Sequence, residues 1–225
     1  LEKSLRILSS ISTHCAIDRM FKSSGSVASF GYNQVEENEG SASASAQRKA
    51  KSYEVLVVGA EGGGKSLLSR RLREANLDYT EVTLEGGTIP TVGSDMVDVL
   101  VNGKKVTFRE VGSAMSSRWE KYLPDCDCLM YVVDISDPGS FASAWVLLNE
   151  LLSNRTALEG KPILLVFNKT DIADTVVRTM AMNILRIEDL ISMYPGVVQI
   201  FSGTCMNLKL AETILKWMAV VLVVV

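Results

Sequence analysis

Histidine is almost missing from this 225-residue chain: His14 is the only one. It lies in a serine-rich tail outside any motif, which argues against catalysis by a histidine base. Cysteine is also sparse. Cys15, Cys126, Cys128 and Cys205 have none of the spacings of a zinc site and form no disulfide framework. Cys126 and Cys128 flank one residue beside an apolar run and are expected to stay reduced, which points to a cytoplasmic compartment. No apolar run reaches the ~20 residues that cross a bilayer. The valine-rich stretch at 219–225 is too short, and Lys209, Glu212 and Lys216 interrupt the segment before it. It reads as the last turn of a helix with a β-prone end, which leaves peripheral membrane contact open. The formal net charge is −3, so no basic excess calls for nucleic acid.

Residues 1–52 differ from the remainder. Serine, glycine and alanine dominate, with SASASA at 41–46, and apolar residues lack a sustained period. Disorder is expected there. Leu1, Leu5, Leu8, Ile7 and Ile11 could make a short amphipathic helix. Arg6, Arg19 and Lys22 give it a faint transit-peptide character, opposed by Glu2 and Asp18.

The chain is organised around YEVLVVGAEGGGKSLLSRRL at 53–72. A β-branched run, Val55 to Val58, enters a glycine-rich turn that opens into a helix with Leu67, Leu68 and Leu72 at helical spacing. Gly59, Gly64, Lys65 and Ser66 match the phosphate-binding pattern GxxxxGK[ST]. Gly62, Gly63 and Gly64 carry no Cβ, so their N–H groups can turn inward around phosphates. The helix start adds the positive end of its dipole. Lys65 is placed to reach β- and γ-phosphates, and the Ser66 hydroxyl to ligate Mg2+. The plain alternative is a flexible turn with a stray lysine.

Downstream, Asn102-Gly103 separates two alternating runs, 95–101 and 104–110, a two-residue hairpin signal. Cys128 to Asp134 and Pro162 to Phe167 are continuous apolar runs, as expected of strands buried on both faces of a parallel sheet. A helix with Phe141, Trp145, Leu148 and Leu152 on one face lies between them. A helical stretch follows Asp171 to about Tyr194, then a strand at 197–201. A final helix from Met206 to about Val220 packs Leu208, Ile214, Leu215 and Met218. The second run ends in Asn168-Lys169-Thr170-Asp171, matching NKxD. A carboxylate at Asp171 can accept from the N1–H and the exocyclic amine of guanine together, which adenine cannot supply. Asn168 would brace the loop and the Lys169 stem would cover the ring. This argues against an ATP-using enzyme.

Thr88-Ile-Pro-Thr-Val-Gly93, downstream of the phosphate loop, resembles the effector loop of Arf and Arf-like small GTPases. The likeness spans about residues 53–220 and includes Arg118-Trp119-Glu120-Lys121-Tyr122. It implies an α/β three-layer P-loop small GTPase fold: a mostly parallel six-stranded sheet with one antiparallel hairpin strand. By this resemblance Gly59, Glu61, Gly62, Gly63, Gly64, Lys65, Ser66, Leu67, Thr91 and Gly112 bind the phosphates. Asn168, Lys169, Asp171, Ser202, Gly203 and Thr204 surround guanine, with the Gly203 N–H reading the guanine oxygen. Ser66 and Thr91 ligate Mg2+, and Glu110 holds it through water. The partners implied are GTP or GDP, effectors, an exchange factor and an activating protein, often in intracellular or ciliary traffic.

Two departures stand out. Glu110 replaces the family's aspartate, and Ser113-Ala114 follow Gly112 where the water-orienting glutamine belongs. No catalytic residue is therefore assigned. The combination is most similar to the divergent Arf-like sixteen branch. Two readings follow: a slow GTPase switch, or a nucleotide-holding scaffold with negligible hydrolysis.

Overall fold

The computed structural model describes residues 52–77 and 93–222. The tail at 1–51, the effector-type loop with Thr91, and the last three valines lie outside the described residues. The elements, in order, are β1 (Tyr53–Val58), α1 (Lys65–Asn76), β2 (Ser94–Val101) and β3 (Lys104–Val111). A 3-10 segment (Ser113–Tyr122) leads to β4 (Cys128–Asp134). A short 3-10 turn at Pro138–Ser140 opens α2 (Phe141–Ser153), followed by α3 (Arg155–Leu158) and β5 (Ile163–Asn168). Then come α4 (Thr175–Ile184), α5 (Ile187–Met193), β6 (Val198–Ser202) and α6 (Lys209–Val221).

The six strands lie in the order β2-β3-β1-β4-β5-β6. Among the described residues only β2 and β3 pair antiparallel; the other pairs are parallel. Asn102 and Gly103 turn that hairpin with φ of 49° and 73°. Both values are left-handed, as a type I′ turn requires, and asparagine and glycine tolerate them best. The hairpin and the mostly parallel sheet are as expected.

β1 and β4 are buried almost throughout, because helices cover both faces. On one face, α1 and α6 pack Leu68, Leu72, Ile214 and Met218 against Val55, Val57 and Met130. On the other, the 3-10 segment, α2 and α4–α5 pack Trp119, Phe141, Leu148 and Leu185 against Leu56, Leu129 and Leu165. Trp217 of α6 meets Phe201 edge-on, ring centroids 6.2 Å apart. Trp217→Ala should cost about 3–5 kcal/mol by opening a cavity, read as a shift of the urea midpoint at unchanged slope.

Three details differ from the sequence reading. The buried face of α2 is Phe141, Ala144, Leu148 and Leu151, with Trp145 and Leu152 at its edge. The buried face of α6 is Leu210, Ala211, Ile214, Trp217 and Met218, and Leu208 precedes the helix. The stretch after Asp171 is two helices, not one. Arg186 adopts φ 47° between them, and the buried positions change phase from Ala181 and Leu185 to Ile187 and Leu190. One straight helix could not turn both sets to the sheet. No described helix is long and apolar enough to cross a membrane.

Candidate functional site

In a parallel α/β sheet, ligands gather at the carboxyl ends of the strands, where loops from neighbouring strands meet. A cavity of about 400 Å3 sits there, outside β1, β3, β5 and β6. Glu61, Gly62, Gly64, Lys65, Ser66 and Leu67 line one end, from the β1–α1 loop. Glu110, Gly112 and Ser113 close its side from β3. Asn168, Lys169, Asp171 and Thr204 line the far end. Four stretches spread over more than a hundred positions thus converge on one cleft. A larger cavity, about 670 Å3, lies between helices beside Trp145, Leu152 and Tyr194 and contains none of the motif residues.

The β1–α1 loop folds tightly. Gly59 has φ 148°, and a Cβ there would sit 2.2 Å from the Val132 carbonyl oxygen of β4. Gly62 and Gly64 take φ of 72° and 87°. A Cβ on Gly64 would fall 2.3 Å from Nδ2 of Asn168. Glycine is needed at Gly59 and Gly64 for close approach as well as for conformation. The ammonium of Lys65 donates to the carbonyls of Gly59 (2.9 Å) and Ala60 (2.8 Å). Burial pushes Lys65 below the usual lysine range, while Glu110 and Glu61 oppose that shift. An entering anion would therefore meet a partly desolvated cation, which strengthens its attraction.

The Ser66 hydroxyl donates to Oε1 of Glu110 at 2.6 Å, and Glu110 is almost fully buried. A hydroxyl and a carboxylate side by side form a hard oxygen set of the sort Mg2+ accepts. Among the described residues no cluster of three His, Cys, Asp or Glu could hold a metal unaided. Thr91, the other expected ligand, lies outside the described residues.

At the end of the cleft lined by Lys169 and Asp171, Asn168 braces two loops at once. Its Nδ2 donates to Gly63 O (2.9 Å), and its Oδ1 accepts from the Cys205 N–H (3.1 Å). Lys169 sits at φ 64° and pairs with Asp134 at the end of β4 (2.5 Å). Asp171 is exposed at the mouth of the cavity. Two expected contacts are occupied in this conformation. The Gly203 N–H donates to Phe167 O (2.9 Å), because the β5–β6 ladder continues one residue past the Phe167–Ser202 pair. The Gly203 carbonyl also accepts from the Thr170 N–H at 3.2 Å. Ser202 and Gly203 stay out of the cavity, which Thr204 and Cys205 line instead. Likewise, the Gly112 N–H donates to Gly93 O (3.0 Å), extending the β2–β3 pair.

Sequence reasoning missed three participants. Asp134 positions Lys169. Trp119 donates its indole N–H to Gly112 O at 3.2 Å. Arg71 lies 1% exposed and donates to the Cys205 carbonyl. Among the described residues, Cys126, Cys128 and Cys205 are free and buried. Burial pushes the Cys126 thiol to about 11 and that of Cys205 to about 12, so both stay protonated at neutral pH.

Comparison with known proteins decides the family. The model of the ADP-ribosylation factor family matches residues 40–221. The chain belongs to the ADP-ribosylation factor family. Human ADP-ribosylation factor-like protein 16 is 34% identical over 139 residues, covering 61% of this chain and 70% of that protein. Rat ADP-ribosylation factor-related protein 1 is 29% identical over 123 residues, 53% of this chain and 60% of that protein. The chain thus spans well under the full length of these relatives. Among solved structures, the Arl6 BBS3 small GTPase from Trypanosoma brucei, with bound nucleotide analogue GppNp, superposes with a TM-score of 0.58. It is 21% identical, and the match covers 75% of this chain and 98% of that one, a likeness of fold. The sheet order, the single antiparallel pair and the phosphate loop are those of an Arf-like small GTPase. This family binds guanine nucleotides, and in this chain the phosphate-loop pattern, the Glu110–Gly112 segment and the NKxD stretch line the cleft just described.

Proposed function

We propose that this Arf-family chain binds GTP and GDP with Mg2+, hydrolyses GTP slowly, and acts as a switch that recruits effectors in intracellular or ciliary traffic. One observation carries the reading. A single cleft places the Lys65–Ser66–Glu110 group at one end and Asp171 at the other, and Asn168 ties the two ends together. Diphosphate and base would be read at once.

The phosphates would lie on the N–H groups of residues 61–67, with Lys65 leaving the Gly59 and Ala60 carbonyls to meet them. Ser66, Thr91 and, through water, Glu110 would hold Mg2+, whose role is to neutralise phosphate charge. Asp171 would accept from the guanine edge, Asn168 would brace the loop, and the Lys169 stem would cover the ring. Thr204 replaces Gly203 as the residue presented to the guanine oxygen, since the Gly203 N–H is engaged in the sheet. For Gly112 to touch a γ-phosphate, its bond to Gly93 must open. That bond and the Trp119 contact are the local elements a GTP-dependent change would rearrange. An exchange factor and an activating protein, which could supply an arginine, complete the cycle. A cytoplasmic setting fits the protonated, unpaired thiols.

The second reading, a scaffold that holds nucleotide without turning it over, is favoured by Ala114. It is exposed, outside the cleft lining, and its methyl group cannot orient water. Single-turnover GTP hydrolysis by the purified full chain with Mg2+ separates the two, with bound nucleotide identified by chromatography. Slow phosphate release above the uncatalysed rate supports the switch. Bound guanine nucleotide with no release supports the scaffold, and no bound nucleotide refutes both. Ala114→Gln should raise phosphate release by up to about a hundredfold, the scale of one restored positioning group. If release stays flat, the obstacle is Glu110 or the loop geometry.

A further inference from the structure

A buried guanidinium is expensive unless every donor meets an acceptor, so its partners show what it is kept for. Arg71 lies on α1, the helix that begins at Lys65 and Ser66, and is 1% exposed. Its Nε donates to the Cys205 carbonyl at 2.9 Å, across 134 positions of sequence. Its Nη1 pairs with Glu74 Oε2 at 2.5 Å. Cys205 is therefore held on both sides of its α-carbon: Asn168 Oδ1 takes its N–H, and Arg71 takes its carbonyl. Asn168 reaches on to Gly63 of the phosphate loop. The connections close a ring, from Gly63 through α1 to Arg71, Cys205, Asn168 and back to Gly63.

We infer that Arg71 is a positioning residue for guanine recognition, fixing the 204–205 loop so that its backbone meets the oxygen at position 6 of the base. The inference rests on the guanine-binding reading above. Thr204 and Cys205 line the cleft, while the preceding Gly203 N–H is held in the sheet. With Gly203 anchored by β5, the orientation of the next two peptides depends on what holds Cys205. Arg71 supplies that hold from the helix that carries Lys65 and Ser66, so the phosphate and base halves move as one body. Asp171 stands on a different loop, the one that follows β5.

Two base analogues separate this role from plain stability. Inosine diphosphate lacks only the exocyclic amine, which Asp171 reads. 2-Aminopurine riboside diphosphate keeps that amine and lacks the oxygen and the N1–H. A purely structural arginine would change affinity for all three diphosphates alike. In Arg71→Met the preference for GDP over the 2-aminopurine analogue should fall about tenfold, the scale of one hydrogen bond lost from a buried carbonyl. The preference for GDP over inosine diphosphate should hold. Arg71→Lys, which cannot fork to both Cys205 and Glu74, should lose part of the first preference. Glu74→Gln keeps the bond to Cys205, so it should lower the urea midpoint and leave both preferences intact.

Competition titrations with a fluorescent GDP read all of these on the full chain. An unchanged 2-aminopurine preference in Arg71→Lys and Arg71→Met overturns the inference, as does an equal fall in Glu74→Gln. Should Arg71→Met not fold, Arg71→Lys decides. A wild-type chain that prefers GDP to neither analogue would instead overturn the guanine site itself.

Discussion

Asp171→Ala is expected to weaken GDP binding by at least about a hundredfold, because two hydrogen bonds to a charged acceptor are lost at once. Asp171 is exposed at the mouth of the cleft and has no hydrogen-bond or ion-pair partner among the described residues. Its removal should therefore leave the unliganded fold within about 0.5 kcal/mol of wild type. That separation makes the experiment clean: affinity collapses while the urea midpoint without nucleotide stays put. A fluorescence titration with labelled GDP measures the first, and denaturation of nucleotide-free protein the second. Unchanged GDP affinity would refute the base assignment, and with it the reason for preferring guanine to adenine. Asn168→Ala should behave differently. It removes contacts to Gly63 and Cys205 together, so affinity and stability should fall in parallel.

The second large effect is on the phosphate loop. Gly59→Ala would drive a Cβ to 2.2 Å from the Val132 carbonyl oxygen and 3.1 Å from that residue's nitrogen and carbonyl carbon. The opposing atoms are backbone of β4, which is paired with β1 on one side and β5 on the other. They cannot step aside as a side chain would. With φ at 148°, the substituted residue is strained even before the clash. A loss of more than about 3 kcal/mol is expected, enough to unfold much of a marginally stable domain. Urea denaturation tests it, with GDP retention as a parallel readout. The Gly59 carbonyl accepts from Lys65, so nucleotide binding should suffer even in whatever fraction folds. A wild-type midpoint would mean that the β1–α1 turn has slack the packing does not show.

The same two residues show why some of this protein was readable early. Gly59 and Asp171 belong to local sequence patterns, GxxxxGK[ST] and NKxD, that are read from residues close together in the chain. The phosphate-loop pattern must turn within a few residues, and the proposed guanine-reading carboxylate must follow a strand end directly. Asn102-Gly103 is of that kind too, since a two-residue turn demands φ above zero at both positions. Buried runs such as Cys128–Asp134 announced parallel strands, because only a strand covered on both faces has no polar side. Helix faces were less legible. Phe141, Trp145, Leu148 and Leu152 satisfy helical periodicity as well as Phe141, Ala144, Leu148 and Leu151 do. Only the neighbouring sheet selects the smaller set, and Trp145 then turns toward the cavity beside Tyr194.

By itself the amino-acid sequence determined the α/β class, the hairpin and the positions of the GxxxxGK[ST] and NKxD patterns, because each depends on residues near one another in the chain. The tertiary structure alone decided the long-range pairings. It set the Gly203 N–H in the sheet, tied Gly112 to Gly93, paired Lys169 with Asp134, and brought Arg71 under Cys205. Each of those contacts depends on strand register or on the approach of elements distant in sequence. A backbone donor or a buried cation looks the same in the sequence whatever partner it will meet; only the packed sheet and helices fix which acceptor stands within reach.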